Sequence, residues 1–443
     1  MTLPRLILAF LMSASMVQAA EIHVPAGADN LKTAIAGASS GDVLILDPGT
    51  HIGPLVLDRP ITLDGKGQAT VDGNYQGSVI TITGDDITLR GLNVIRSGKK
   101  NQDLDSGIKL VKGAHGALIE NNTLNDNMHG IDVHGAIGTI ARGNTITGRR
   151  DLHMLARGNG FYVWNAPDTL IENNVVQYGR DGIFSNVSKK DIFRGNLFRD
   201  LRFAVHYMHT LDSEISGNVS IGNHLGYAVM FSNRVVVKDN LSLSDRDHGV
   251  MLNAANNSDI IGNLVRGGTR KCLFVYDANK NLIAGNRLEG CGIGIHFTAG
   301  SEKNAVTDNA FIGNQNQVKY VGTRNIEWSL DGRGNYWSDL PAFDLNGDGR
   351  ADSPFRPNDL MDHILWSQPA AALLVGSPAV QLIRWSQSSF PATLPGGVMD
   401  SHPMMAPLAI PVPPEYAAME AEVADRWLKD TEDDADAEAI TTH

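Results

Sequence analysis

The chain has 443 residues and a formal net charge of −12. That charge disfavours nucleic acid or an anionic lipid surface as a partner, while the length suffices for one large solenoid with a small appended region. Past the first 20 residues no stretch reaches the ~18 consecutive apolar residues needed to span a bilayer, so contact with a membrane is expected only through a partner protein.

Residues 1–20 carry Arg5, the apolar run LILAFLM and the small-residue ending VQAA. This is the pattern of a secretory signal peptide cleaved near Ala19 or Ala20, and it predicts an exported protein, periplasmic in a Gram-negative host. Asn30 to Ser40 reads as a short amphipathic helix with an Asn start signal. Such a helix would cover the apolar end of whatever stack follows.

From Asn122 an asparagine recurs at Asn144, Asn174, Asn196, Asn218, Asn240, Asn263, Asn286 and Asn309, mostly at steps of 22 or 23 residues. A fixed period of this size signals stacked units, none of which closes a core alone. Each unit holds short stretches of alternating apolar residues separated by Gly, Asn, Asp and Ser, which read as strands and corners. About 22 residues accommodate three short strands and three corners. The predicted fold is therefore all-β: a right-handed parallel β-helix over residues 21–335, with rungs ~4.8 Å apart. The asparagines read as scaffold, since Asn tolerates the left-handed conformation and its amide can bond to its equivalent above and below.

Two coils are long. Asn93 to Asn122 spans 29 residues and Asn144 to Asn174 spans 30, with the extra residues in SGKKNQDLDSG and GRRDLHMLARG. Insertions at one corner of a solenoid often mark the binding face.

Aligning the coils on their asparagines gives two outward columns. One runs Asp132, Tyr162, Phe184, His206, Ala228, Met251, Phe274, His296; the other runs His134, Trp164, Asn186, Met208, Met230, Asn253, Tyr276, Thr298. Aromatic, Met and His side chains on a nominally solvent-facing strand mark an interaction surface. Within it His206, Met208, Met230 and Met251 are brought toward one hollow at Ala228. Thioethers and an imidazole form a soft donor set suited to Cu(I) rather than Mg, Ca or Mn. His129, His134 and His248 lie on neighbouring coils as secondary candidates, and His153 and Met154 sit on an insertion able to overhang the face. Cover by the C-terminal segment or by a partner protein explains the same stripe without metal.

Cys272 and Cys291, the two cysteines of the chain, fall near one corner of adjacent coils. An oxidising compartment predicts a disulfide; buried free thiols and soft-metal ligation are the alternatives. Residues 336–395 read as a C-terminal cap or docking segment. There Asp344, Asn346, Asp348 and Asp352 resemble the first positions of a calcium loop, but Phe355 stands where the bidentate Glu belongs. A structural Ca²⁺ and an ion-free Asx-rich turn both fit. Residues 396–443 read as a Pro-rich linker, one helix and an acidic mobile end, with His402, Met404 and Met405 as a second soft cluster.

The strings DLRFAVHYMHTLDSEISGN, RDHGVMLNAAN, GIHFTAGSEKN and GNYWSDLPAFDLNGDGRADSPFRPNDLMDHILW resemble the NosD family, accessory proteins of nitrous oxide reductase. The resemblance runs to about Pro395. It implies a non-catalytic periplasmic β-helix working with an ABC transporter, made of a membrane subunit and its ATPase. It also implies receipt of Cu(I) from a copper chaperone lipoprotein and assembly of the copper–sulfide centre of apo nitrous oxide reductase. The metal ligands above rest on the coil alignment, not on a family motif. Two other classes remain open at this level: a polysaccharide lyase or epimerase, for which Arg149, Arg150, Asp151 and His153 offer the charged groups, and a metal-free docking scaffold.

Overall fold

In a computed structural model the described residues are 19–322, 324–358, 364, 377–389, 396–423 and 425. The expected signal peptide up to Gln18, most of the apolar stretch between 359 and 376, and the acidic C-terminal end lie outside them.

The chain winds as a right-handed parallel β-helix. One face is a sheet of 12 parallel strands, from Leu55–Leu57 through His129–His134, Phe203–Met208, Leu225–Met230 and His248–Asn253 to Asn316–Val321. Twenty-four further strands join in a second sheet, and Asn325–Glu327 pairs with Gly397–Met399 in a third of two strands. Alternation decides which side chains enter the core. In His248–Asn253, Val250 and Leu252 are at most 2% exposed while Met251 and Asn253 point away from it. Repeated coil after coil, this stacks Ile, Val, Leu and Phe into one continuous apolar core.

Register follows the asparagine period. Phe184 pairs with His206, His206 with Ala228, Ala228 with Met251 and Met251 with Phe274. Asn186, Met208, Met230, Asn253 and Tyr276 pair in the same order beside them. Both outward columns therefore stand as the sequence aligned them.

The asparagines form the ladder the sequence implies. The Asn218 side-chain oxygen accepts the Asn196 backbone N–H at 3.0 Å and its Nδ2 at 2.9 Å, while Asn218 Nδ2 donates to Phe193 O and Asn240 Oδ1. The motif repeats from Asn122 and extends one rung past Asn309, to Asn335. Each rung satisfies a corner's otherwise stranded backbone donor inside the core, where an unpaired amide costs ~1–3 kcal/mol.

Space near the start of the face strands is set by a small residue, the second of several of them. A Cβ built on Gly249 would lie 2.3 Å from Val265 Cγ1. Cys272 occupies the equivalent slot one rung on and bonds to Cys291, 19 residues away, with Cα atoms 5.7 Å apart. The disulfide reading holds, and the sulfurs are not metal ligands.

At the N-terminal end the helix Asn30–Gly37 buries Leu31 and Ile35 over the first coil, ending earlier than Ser40. At the other end Phe297, Phe311, Trp328, Trp337 and Phe355 stack against one another. The described residues 396–423 are docked. Gly397–Met399 pairs with Asn325–Glu327, and a helix over 414–423 lies on the outside of the solenoid. There Val423, Tyr416 and Met419 pack on Val219, Leu241, Leu243 and Leu264, and Glu420 pairs with Arg266. Among the described residues no helix is long and apolar enough to cross a membrane.

Candidate functional site

The long corner 148–159 decides where the outward face becomes a site. It precedes the strand Phe161–Trp164, so it hangs over the beginnings of the neighbouring strands rather than their ends. Its single 3₁₀ turn, Met154–Ala156, is started by His153, whose Nδ1 accepts the Leu155 N–H at 3.4 Å. Beneath that turn lies a cavity of about 570 Å³ lined by His153, Met154, Leu155, Arg202, Phe203, His224, Leu225, Met230, Arg246, Asp247, His248 and Met251.

Three thioethers thus border one space, two from the face and one from the overhang, together with three imidazoles. Met230, Met251, Met154 and His248 are the sequence candidates that meet there. His206 and Met208 are absent from the lining, which corrects the hollow inferred at Ala228. Ala228 is fully covered, and Met208, one rung from Met230 in the same column, does not reach the space.

His206 sits just under the cavity floor. It is 6% exposed, lodged between Phe184 and Phe203 with ring centroids 4.8 and 5.0 Å away. Its Nδ1 lies 3.4 Å from Asp181 Oδ2, and its buried Nε2 has no hydrogen-bond partner among the described residues. Asp181 also receives Arg202 through two bonds of 2.7 and 2.6 Å. Burial pushes the Asp181 carboxyl up, but His206 and Arg202 outweigh it and hold it below the ordinary value.

His248 is better placed. Burial, reinforced by Lys271 and Arg270, outweighs the Asp247 carboxylate and lowers its pKa to about 4. The ring is therefore neutral near pH 7, the protonation state that a soft metal needs. Its Nδ1 stands 3.0 Å from Asp247 Oδ2 and its Nε2 3.5 Å from Lys271 Nζ. Burial likewise lowers His224.

The other candidates separate from this centre. His129 has both ring nitrogens engaged, with Nδ1 accepting the Asn159 N–H at 3.1 Å and Nε2 on Asn101 Oδ1 at 2.9 Å. His134 stacks on Trp164 at 4.3 Å, outside the cavity. His402 and Met404 belong to the end cap: His402 Nδ1 meets Ser329 Oγ and the Met404 N–H donates to Asn335 O. The charged groups of the lyase reading are also committed, Arg149 to Asp151 and Arg150 over the Tyr178 ring at 4.4 Å.

The calcium reading is corrected by the loop itself. Asp344 accepts the N–H groups of Gly347, Asp348 and Gly349, Asn346 that of Asp348, Asp348 that of Arg350, and Asp352 that of Leu345. The side chains close an Asx-rich turn with backbone donors and need no ion. Among the described residues no three His, Cys, Asp or Glu side chains converge as a metal group.

Arg202, Phe203, His224, Leu225, Arg246 and Asp247 were missed by the sequence reading. The signal was available one step upstream. Phe203, Leu225, His248 and Lys271 are in register, forming a third outward column just before the small residue. The alignment began after that residue and passed it by.

Fold and cavity together define a parallel β-helix with a cavity lined by soft donors on one face. A family described as periplasmic copper-binding protein (NosD) matches residues 142–342, and a family of unknown function matches residues 31–197. The chain is 38% identical over 382 residues to a probable ABC transporter binding protein NosD of Pseudomonas aeruginosa, covering 83% of this chain and 89% of that one. It is 36% identical to the protein of the same description from Stutzerimonas stutzeri, covering 81% and 86%. The chain belongs to the NosD family. Among solved structures it is similar in fold to the A-module of the Azotobacter vinelandii mannuronan C-5 epimerase AlgE6, with TM-score 0.53, 15% identity and 69% of this chain and 93% of that one covered. It is similarly related to the Streptococcus pneumoniae adhesin PfbA, with TM-score 0.55, 13% identity and coverage of 66% and 94%. At such identities the likeness concerns the β-helix alone.

Proposed function

We propose that the protein is a periplasmic copper carrier that binds Cu(I) in the overhung cavity and passes it on for assembly of the copper–sulfide centre of nitrous oxide reductase. It works with an ABC transporter's membrane subunit and ATPase, receiving the ion from a copper chaperone lipoprotein. The protein performs no catalysis. The observation that carries this reading is the meeting of Met154, Met230, Met251 and a neutral His248 around one space. Thioethers and imidazole favour Cu(I) over harder ions, and they escape the oxidation that claims free thiols outside the cytoplasm. His206, with its unpartnered Nε2 beneath Phe203, is the next donor should that ring swing aside. Kinship with proteins described as copper-binding and as transporter-binding supports the same reading.

Anaerobic titration of the mature protein with Cu(I) against a chromophoric chelator tests it. Sub-micromolar affinity is expected, weakened at least tenfold by Met230→Ala with Met251→Ala, and little changed by Met208→Ala. Full affinity in the double variant would move the ligands elsewhere, and absence of Cu(I) binding by the unmodified protein would overturn the reading.

A further inference from the structure

Ligand type alone does not make the cavity selective for a soft monovalent ion. Beside the thioethers of Met154, Met230 and Met251 it presents three imidazoles, His153, His224 and His248, and the Asp247 carboxylate. Imidazole and carboxylate are ordinary zinc ligands. Cu(I) and Zn(II) both have a filled d shell and no geometry imposed by d electrons, so beyond softness they differ in charge. Around the cavity that charge is met by cations, on a chain whose net charge is −12. Arg202 and Arg246 line it, Arg270 reaches Asp247 at 3.5 Å, and Lys271 stands behind His248. Opposing them are Asp247 and Asp181, the latter already bonded twice to Arg202.

Lys271 approaches a candidate donor atom, its Nζ lying 3.5 Å from His248 Nε2. The approach is built into the fold. Lys271 is the register partner of His248 on the next rung, and the adjoining Cys272 is tied to Cys291. The ammonium is also held 4.1 Å from the centroid of the Phe274 ring, a favourable place for a cation. An ammonium only donates, so the contact calls for an unprotonated Nε2 and puts the ring proton on Nδ1, 3.0 Å from Asp247 Oδ2. Nε2 is then the nitrogen left for a metal. An ion at the usual ~2 Å from Nε2 lies within ~6 Å of the Lys271 charge.

We propose that Lys271 is a specificity-determining residue, whose ammonium beside His248 Nε2 keeps divalent metal ions out of the cavity while Cu(I) is tolerated. Repulsion scales with the product of the charges, so the logarithm of the affinity lost by a dication is twice that lost by a monocation. The thioethers discriminate by softness and Lys271 by charge. Arg202 and Arg246 add to the same field from the other side of the space. The proposal rests on the copper-handling reading above, but Zn(II) probes it separately.

The test compares the unmodified protein with Lys271→Gln, which removes the charge but keeps an N–H donor, and with Lys271→Arg, which keeps the charge. Zn(II) and Cu(I) affinities are read separately by competition with chromophoric chelators, Cu(I) anaerobically, and the thermal midpoint checks folding. Lys271→Gln should bind Zn(II) at least about tenfold tighter and Cu(I) about threefold tighter, the square-root relation that charge dictates. Adding His248→Ala should abolish the Zn(II) gain, and Lys271→Arg should leave both affinities within about twofold of the parent. Unchanged Zn(II) affinity in the Gln variant overturns the proposal. An equal gain for both ions does so too, since Lys271 would then only compete for the lone pair, as does an Arg variant that behaves like the Gln one. If the unmodified protein takes no Cu(I), the copper reading falls, whereas a Zn(II) gain that depends on His248 still upholds the exclusion of dications by Lys271.

Discussion

The carboxylate of Asp400 accepts the backbone N–H of Asn335 at 2.7 Å and the indole N–H of Trp337 at 2.8 Å. A residue 65 positions along the chain thus ends the asparagine ladder, doing for Asn335 what each asparagine does for the one before it. The strand Gly397–Met399 delivers Asp400 to that point, and its backbone pairs in both directions with Phe355. The C-terminal segment is therefore the final rung of the solenoid.

Asp400→Ala should strip three donors of their acceptor, because the His402 N–H also bonds to this carboxylate. Unpaired buried donors cost ~1–3 kcal/mol each before relaxation, so a loss of about 2–4 kcal/mol is expected. Thermal unfolding followed by circular dichroism should show a lower midpoint, and Trp337 fluorescence should report a loosened end. An unchanged midpoint would mean that the aromatic stack of Phe311, Trp328 and Trp337 closes the end unaided.

The ladder and the outward columns were legible because period alone sets register, and register alone decides which Cβ atoms stand above one another. Asn335 was equally available in GRGNYW, but its 26-residue step from Asn309 broke the count. What the period could not supply was the third dimension of the overhang. Met154 is placed by a non-repeating loop, and whether that loop shades the start or the end of its neighbours depends on where it leaves the coil. Met208, with the right chemistry and the right column, lies outside the cavity although its register partner Met230 lines it, whereas His224, at a strand start, lies inside. The same limit hid where the C-terminal helix docks: the apolar strip at Val219, Leu241 and Leu264 repeats like any other column, and only the partner's identity is non-local.

Asp191 gives a pH signature. It is fully buried at a corner, its oxygens taken by Ser185, Ser188 and the Thr169 N–H, and burial raises its pKa to about 7. The folded value lies above the unfolded one, so its stabilising contribution is complete below pH ~4 and is lost as pH rises through 7. Asn281, three rungs past Ser213 in the same column, shows that an amide fits the slot: its Oδ1 accepts the Ser258 N–H. Asp191→Asn should therefore remove the alkaline loss, leaving the variant roughly 2–4 kcal/mol more stable than the parent near pH 8, with the gap closing toward pH 5. Urea unfolding across that range measures it; a constant gap would show that Asp191 is already ionised in the folded protein at pH 5.

The docked helix is the remaining exposed joint of the architecture. Val423 is fully buried against Val219, Leu241 and Leu264, and Gly222 has room for no side chain there, since a Cβ would lie 2.8 Å from Val423 Cγ1. Around this apolar centre Glu420 pairs with Arg266 and Glu422 with Arg199. The ion pairs are partly solvated and contribute about a few tenths of a kcal/mol each, so the apolar contact must carry the docking. Arg266→Ala should then leave the helix in place, whereas Val423→Asp should release it, because burying an unpaired carboxylate costs several kcal/mol. Hydrogen exchange resolved by peptide would report this directly: loss of protection over residues 414–423 in the Val423 variant, retention in the Arg266 variant. Since the Met230 face lies on a different sheet, Cu(I) affinity should be the same in both. Release by Arg266→Ala alone would reverse the ranking of the two forces.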